Sequence, residues 1–522
     1  MKAPELWQPG VNPWLIAFTM VLPTFMVALD TSVANVALPH IAGSLSASTD
    51  EATWVLTSYL VANAIVLPIT GWLATYLGRK FFLIVSIAAF TLSSALCGGA
   101  LSLGMLIFAR VVQGASGGAL LPVSQAVLLE SFPPAQRGEA MAAYGLGVVF
   151  APIIGPTLGG WITDNASWRW VFYINVPVGV LAVLMTSVFI EDPPYLKGRM
   201  RGTIDYVGFL LMAIGLGTLQ VILDKGERND WFSAQWIRWF ALISVSSLVG
   251  FFLWERRAKH PIVNLQVLTN RNLGVGILLA AVYGVILYGS LVMLPLFLQN
   301  LMAYPALQSG LAITPRGIGA LFSMTLAGRL VRRVDGRFLI ITGFLGLAWA
   351  GFLFGDINLQ ISMISVVIPN IIIGASMGFI FVPVTTLAMG MLPNEQMGAG
   401  TGLYNLMRNL GGSIGIAFVS TMLARDAQFH QALMVSHLSP TDPAFLERLH
   451  TLRQLFLARA DIVTATREAY GAIYRILVQQ STLWAFVDTF RLLGYVSLVG
   501  VPLTFLFRKV RETARPRTSF AE

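Results

Sequence analysis

The sequence predicts an all-α polytopic membrane protein of about fourteen spans, and three observations carry that prediction. Hydrophobic residues make up 56% of the chain and charged ones only 11%, whereas a soluble domain runs nearer a quarter charged because its surface faces water. Apolar runs of roughly twenty residues recur along nearly the whole length, each enough to cross about 30 Å of hydrocarbon at about 1.5 Å per residue. Lys and Arg gather in alternate connections between those runs.

The expected spans are 14–38, 52–74, 81–101, 105–129, 138–161, 169–190, 206–223, 236–255, 273–299, 308–330, 338–355, 362–391, 399–424 and 484–507. The first begins near Trp14 and lacks a small-residue cleavage site behind a charged start, so it reads as a retained span rather than a signal peptide. Arg79/Lys80, Lys197/Arg199/Arg201, Arg256/Arg257/Lys259, Arg332/Arg333/Arg337 and Arg508/Lys509/Arg511 fall on one side. The opposing loops 39–51, 101–105, 300–307 and 355–361 carry no Lys or Arg. The positive-inside rule then places the basic side and both termini in the cytoplasm, which requires an even number of spans. The same clustering disposes of a nucleic-acid reading of the net charge of +9: there is no basic face with stacking aromatics. The single Cys97 lies in an apolar run, which leaves no disulfide or Cys-based metal site.

Two segments are not membrane. Residues 191–205, with Pro193, Pro194, Gly198 and Gly202, form a basic cytoplasmic linker. Residues 425–483 form a long extracytoplasmic loop with Pro440, Pro443 and two stretches of helical periodicity, about 443–459 and 462–480. Leu446, Leu449, Leu452, Leu455 and Phe456 recur on the first, and Ile462, Ala465, Ala469, Ile473 and Ile476 share one face of the second. The loop is read either as a solvated helical hairpin or as a docking site for a partner.

The chain repeats itself at a spacing of about 260 residues. Pro122-Val-Ser-Gln, Pro133, Gln136, Gly138 and Tyr144 align with Pro383-Val-Thr-Thr, Pro393, Gln396, Gly398 and Tyr404. A looser echo relates Gly71-Trp-Leu-Ala-Thr-Tyr-Leu-Gly-Arg-Lys to Gly328-Arg-Leu-Val-Arg-Arg-Val-Asp-Gly-Arg. The copies lie an even number of spans apart and share one orientation, which is a transporter plan with substrate bound between the halves near the midplane. The expected organisation is an N-terminal six-helix bundle (14–190), the linker, two inserted spans (206–255) and a C-terminal six-helix bundle (270–510) that carries the long loop.

Five motifs in order on these spans resemble the major facilitator superfamily, with the likeness running from about 14 to 507. Gly71-x-Leu-x-x-x-x-Gly78-Arg79-Lys80 is similar to the family's loop motif, in which glycines let helix ends approach and the basic pair faces carboxylates and helix C-termini across the domain interface. Here Thr75 stands where Asp is usual, which puts one interdomain charge contact in doubt. Arg110-x-x-Gln113-Gly114 is similar to the fourth-span motif. Gly147-x-x-x-x-Pro152-x-x-Gly155-Pro156-x-x-Gly159-Gly160 is similar to the fifth-span motif of antiporters. Leu29-Asp-Thr-Ser-Val-Ala-Asn-Val-Ala-Leu-Pro39, Trp168-Arg-Trp-x-Phe-x-Ile-Asn-x-Pro177, Asp230-Trp-Phe-Ser and the long loop narrow the resemblance to the fourteen-span drug:proton antiporters. It implies multidrug efflux from a bacterial inner membrane, with small hydrophobic substrates and protons as ligands. It also implies a periplasmic adaptor and an outer-membrane channel as partners.

The residues support a site independently of the resemblance. An ionisable group near mid-bilayer costs about 2.5–3.5 kcal/mol, so each one there is a functional candidate. Asp30 lies past the midpoint of span one. A carboxyl there is raised in pKa by desolvation and suits a site that loads a proton outside and releases it inside; the alternative is a permanently charged Asp held by Arg or helix-end contacts. Arg110 is the only charge within span four's apolar stretch, and its repeat counterpart is near the apolar Ile371. It is assigned to coupling, against structural hydrogen bonding. Arg408 faces Val148 in the other copy and is expected to bind an anionic substrate group or to hold the surroundings of Asp30. Arg316 is expected to snorkel outward, and Asp488 and Arg491 to pair at i, i+3. Asn35, Asn63, Gln113, Gln125, Tyr288, Gln299 and Asn405 are candidate cavity liners, each alone more often an interhelical hydrogen bond worth about 0.6 kcal/mol. Span five's glycines and prolines form a packing device able to seal the cavity on the extracytoplasmic side.

No metal-ligand spacing, P-loop, GxSxG or redox motif is present. The chain is therefore read as a secondary transporter rather than an enzyme, with no cofactor and an ion gradient as its energy source. The function expected is proton-coupled export of small hydrophobic or amphipathic toxic compounds. The alternative is an importer or facilitator of the same fold. Orientation is testable by thiol labelling: a cysteine at His450 reacts with an impermeant reagent added outside and one at Gly198 does not, whereas labelling at Gly198 alone overturns the topology.

Overall fold

The computed structural model describes residues 9–194, 205–259, 261–439 and 441–508. Among them every regular element is helical and there is no strand. Helical structure is what the bilayer demands, because only a helix or a closed barrel satisfies every backbone group without water. The expected linker falls largely on 195–204 and the basic tail on residues from Lys509, outside the described residues.

Twelve helices are long and apolar enough to cross a membrane. They are Pro13–Ser44, Asp50–Leu77, Arg79–Gly98, Leu103–Ser131, Pro134–Asn165, Trp170–Phe189, Tyr206–Lys225, Gln235–Glu255, Arg271–Leu301, Gly336–Phe354, Met363–Met389 and Ile462–Thr504. Two expected spans are helical yet fall outside that set. The tenth is split into Ala306–Ile313 and Pro315–Leu330, broken where Pro315 supplies no backbone N–H. The thirteenth, Met397–Val435, is 39 residues long and carries Gly398, Gly400, Gly402, Gly411, Gly412 and Gly415 as well as Arg408, which dilute its apolar character. Both pack inside the C-terminal half: Gly319 and Gly374 join the tenth to the twelfth, and Gly411 and Gly415 join the thirteenth to the ninth.

The 260-residue repeat is visible in the backbone itself. Ser102 caps the fourth helix by accepting from the Met105 N–H, and Ser362 caps the twelfth by accepting from the Ser365 N–H. Pro133 and Pro393 have φ/ψ of −60/149 and −59/148 and each opens a single 3₁₀ turn before the next helix. The glycine contacts repeat too. A Cβ on Gly114 would meet the Tyr59 carbonyl oxygen at 2.3 Å, and one on Gly374 would meet that of Arg316 at 1.9 Å. In hydrocarbon, where helices gain nothing by hiding apolar surface from water, such close backbone approach is a main source of association.

The segment 425–483 departs from the expected loop. The thirteenth helix runs on to Val435 and the last one starts at Ile462, so the irregular parts flank only the short helix Pro443–Leu457. Residues 425–435 contain neither Gly nor Pro, so nothing stops the helix at the membrane boundary. Asp442 and Asp461 then cap the two helices that follow. The periodicity of the short helix resolves into an inward side, Phe445 with half-buried Leu449, Leu452 and Phe456, and an exposed side with Leu446 and Leu455.

Glycine contacts give a direct test of this packing. Gly114→Ala is expected to destabilise the protein by about 1–3 kcal/mol, the usual cost of overpacking. Gly160→Ala, where a Cβ meets nothing within 4 Å, is expected to leave thermal unfolding unchanged. Equal melting temperatures for the two variants would contradict the packing.

Candidate transport site

The centre of the N-terminal bundle is an ion pair sealed from solvent. Asp30 on the first helix and Arg110 on the fourth meet at 2.6 Å (Oδ2 to Nη1), with both side chains 0% exposed. The other carboxylate oxygen accepts from two neutral side chains. Gln113 Nε2 donates to Oδ1 at 2.9 Å and Asn175 Nδ2 donates to the same oxygen at 2.8 Å. Arg110 is held as well: its Nε donates to the Val55 carbonyl at 3.0 Å, its Nη1 donates to Gln113 Oε1 at 2.8 Å, and its guanidinium lies 4.2 Å above the Tyr59 ring. Asn175 also donates to Ser94 Oγ at 3.0 Å. A charge pair in a low-dielectric interior is tolerable only with this degree of hydrogen bonding. Its members come from helices one, two, three, four and six, so a change of charge at Asp30 is felt by five of the bundle's helices.

The structure brings together Asp30 and Arg110, assigned to coupling, with Gln113, assigned to the cavity lining; an arginine contact is also what the alternative of a permanently charged Asp30 requires. Tyr59, Ser94 and Asn175 were not singled out, although Asn175 is the Asn of the Trp168–Pro177 motif. Their signal was weak, since a lone Asn or Tyr in a span is usually a local hydrogen bond.

Four other candidates, Asn63, Gln125, Asn405 and Arg408, lie where the two halves meet. Asn405 Nδ2 donates to Gln125 Oε1 at 2.6 Å, and Asn409 Nδ2 donates to Asn63 Oδ1 at 3.3 Å. Tyr288 is half-buried over Gly412, whose added Cβ would meet the ring at 2.5 Å. Arg408 lies among Tyr144 of the N-terminal half and Tyr283, Tyr288 and Tyr404 of the C-terminal half. Asn35 is exposed on the first helix. Gln299 is exposed in the π-helical end of the ninth and donates to Ser309 at 3.3 Å.

Several expected contacts take a different form. Arg79 pairs with Glu130 of its own bundle rather than across the halves, while Lys80 offers its backbone N–H to Asp192 at 2.9 Å. Gly78 has φ +84, a conformation that only glycine adopts without strain. Thr75 caps back onto the Gly71 carbonyl at 2.8 Å, so what joins the halves at this motif is backbone contact: a Cβ on Gly71 would lie 2.6 Å from the Ala399 nitrogen. In the fifth helix Gly147, Gly155 and Gly159 face Val21, Ser32 and Val33 of the first, and Ser32 Oγ donates to the Pro152 carbonyl at 3.2 Å. That carbonyl is open because Pro156 cannot donate to it. Pro152 and Pro156 thus serve packing within one bundle, and Gly160 faces open space. Arg316 does not snorkel: it is 1% exposed and donates to Asn370 and Ser290 at 3.2 and 3.5 Å, because the break before Pro315 turns it inward. Asp488 and Arg491 do not pair with each other; Asp488 meets His430 and Arg491 meets Asp356.

Residues 20–416 match the family described as Major Facilitator Superfamily. This chain belongs to the major facilitator superfamily. Among curated relatives, the multidrug export protein EmrB of Escherichia coli is 39% identical over 438 residues, covering 83% of this chain and 85% of that one. The fatty acid resistance protein FarB of Neisseria gonorrhoeae is 34% identical over 495 residues, covering 94% and 95%. Among solved structures, the human organic anion transporter MFSD10 is similar at a TM-score of 0.60 and 13% identity, covering 94% of this chain and all of that one.

Within this superfamily fold the two inserted helices are placed differently: Gln235–Glu255 packs mainly on the seventh helix, while the seventh lies against both halves. Lys225 reaches the Thr53 hydroxyl, the Asp50 carbonyl at 3.3 Å and the Asp50 carboxylate at 3.5 Å, and Asp224 binds Thr57. On the other side Gln220 and Ser413 exchange hydrogen bonds at 2.7 and 3.0 Å, and Trp231 Nε1 donates to Thr421 at 3.0 Å. Repeat arithmetic located the insertion in sequence but carried no information about which face it covers.

The central pair predicts a non-additive double mutant. Arg110→Met leaves a buried carboxylate without its counter-charge and is expected to cost about 3–5 kcal/mol, whereas adding Asp30→Asn recovers most of that loss. Additive losses in thermal unfolding would show that the two residues do not depend on each other.

Proposed function

We propose that this protein is a proton-coupled exporter of small hydrophobic or amphipathic toxic compounds, working by alternating access between its two bundles in a bacterial inner membrane with both termini in the cytoplasm. The sealed Asp30–Arg110 pair is the observation that carries the reading. A carboxylate there has one partner of opposite charge and a ring of neutral donors, so adding a single proton removes the ion pair and leaves Arg110 on Val55, Gln113 and the Tyr59 ring. The pocket gains one net charge in surroundings that cannot screen it, which makes two arrangements of the bundle differ in energy with proton occupancy. One proton returning through 100 mV supplies about 2.3 kcal/mol from the potential alone. Export, rather than import on the same fold, is supported by the fifth-helix motif and by the relatives named for multidrug export.

Asp30→Asn is expected to lower the melting temperature, insert normally and abolish gradient-driven efflux from everted vesicles, while Asp30→Glu keeps part of the activity. Normal pumping with a normal pH response in the Asn variant would make Asp30 structural. Flux into cells rather than out of them would favour the importer.

The extracytoplasmic projection supports a periplasmic adaptor, with an outer-membrane channel beyond it, as partners. Phe429, Leu433, Leu455, Val463, Tyr470 and Tyr474 are each more than half exposed there, more apolar surface than a tether requires. Replacing 436–461 by a flexible linker is expected to collapse whole-cell resistance while vesicle transport survives. Equal loss of both, in a folded protein, would place the segment in the transport cycle itself.

A further inference from the structure

The buried charges of the two halves are balanced differently. In the N-terminal bundle Asp30 and Glu130 each meet an arginine. The N-terminal bundle also buries Arg137 close to Glu130; in the C-terminal bundle the buried charged groups among the described residues are Arg316 and Arg408, and no acidic residue is buried with them. Arg316 is satisfied by Asn370 and Ser290. Arg408 is only 5% exposed, yet among the described residues it makes no ion pair and no hydrogen bond. Its electrostatic neighbours are the four phenols of Tyr144, Tyr283, Tyr288 and Tyr404. The Tyr283 hydroxyl is itself buried without a partner, within electrostatic reach of both arginines. A buried guanidinium and a buried hydroxyl, both short of an acceptor, form a place that favours a negatively charged oxygen.

The position fits a ligand as well as the charge does. Arg408 sits where Tyr144 of one half approaches Tyr283, Tyr288 and Tyr404 of the other, three helical positions beyond the Asn405–Gln125 contact. Tyr144 stacks on Phe381 across the halves at 6.3 Å, which supplies an apolar wall beside the cation. We propose that Arg408 is the recognition site for the anionic head of an amphipathic substrate, a carboxylate or phenolate on an apolar body, with the Tyr283 hydroxyl as second donor. This rests on the export reading above and narrows its substrate class.

The test is equilibrium binding to the full chain in phosphatidylcholine nanodiscs, with three probes of equal tail: laurate, dodecanol and dodecyltrimethylammonium. Wild-type protein is expected to bind laurate at least about tenfold more tightly than either of the others, the range for a hydrogen-bonded charge. Arg408→Gln abolishes that preference and Arg408→Lys retains part of it; Arg316→Gln leaves it in place. Tyr283→Phe, a milder change should the Gln variant unfold, is expected to lower laurate affinity selectively by about threefold. Equal affinity of wild type for laurate and dodecanol overturns the proposal, as does an unchanged preference in folded Arg408→Gln. An equal loss in Arg316→Gln also overturns it, since the field of the whole bundle would then be responsible. Loss of laurate binding on adding phosphatidylglycerol would assign the site to a lipid headgroup and overturn a free substrate. No gradient enters these measurements, so their outcome is separable from that of Asp30→Asn in vesicles.

Discussion

Hydrocarbon offers no water to solvate a charge, and the arrangement of this protein follows from how each buried charge is compensated. Asp30 and Arg110 compensate each other and recruit Gln113, Asn175 and the Val55 carbonyl as hydrogen-bond partners, with Ser94 behind Asn175 and the Tyr59 ring under the guanidinium. Those partners come from separate helices, so the pair also fixes how the helices lie around it. Arg79 and Glu130 do the same at the basic end. Among the described residues the C-terminal half has no such pair at its centre, and its tyrosines face an arginine without a carboxylate partner. Two halves built on one plan have therefore been given different electrostatic tasks.

The plan itself is carried by glycine. Gly114 and Gly118 against the second helix, and Gly374 and Gly378 against the tenth, are copies of one contact at a spacing of 260 residues. Gly155 and Gly159 of the fifth helix against the first correspond in kind to Gly411 and Gly415 of the thirteenth against the ninth. With backbones this close, each bundle has little freedom to repack, unlike the surface where the halves meet. That surface is held by amide pairs such as Gln125–Asn405 and Asn63–Asn409, by glycine contacts at Gly71, and by the solvent-exposed Arg332–Glu139 ion pair, of a kind worth only about 0–1 kcal/mol. Neutral hydrogen bonds between membrane helices are worth only about 0.6 kcal/mol each, so strong interiors face a weak seam.

Composition and periodicity made twelve of the fourteen expected spans legible, because a bilayer of fixed thickness imposes one length and one polarity on such segments. The repeat was legible for the same reason that its backbone angles coincide: Pro133 and Pro393 can take only one φ. Asp30 and Arg110 could be read as exceptional since a charge in an apolar run has few uses. Contacts across the structure were less legible. Arg316 near a helix start looked able to reach water, and only the break before Pro315 turns it inward. Asp488 and Arg491 sit at pairing distance on one helix, yet each finds a partner elsewhere. Spacing constrains neighbours along a helix and says nothing about competitors on the next one. The helical continuation past residue 424 was obscured by a polar composition that resembles a loop once the membrane is left behind.

The inserted pair shows how the seam between the halves is biased. The seventh helix touches both halves, but with unlike chemistry. Toward the second helix it presents Lys225 and Arg228 to Asp50, with Lys225 also 5.1 Å from the centre of the Trp54 ring. Toward the thirteenth it offers two neutral contacts, Gln220–Ser413 and Trp231–Thr421. The turn that aims Trp231 is strained, with Asp230 and Trp231 both at positive φ, a conformation that a bulky residue adopts only where surrounding contacts hold it. The seventh helix and the turn after it are thus joined to the N-terminal bundle by charged groups and to the C-terminal bundle by neutral ones.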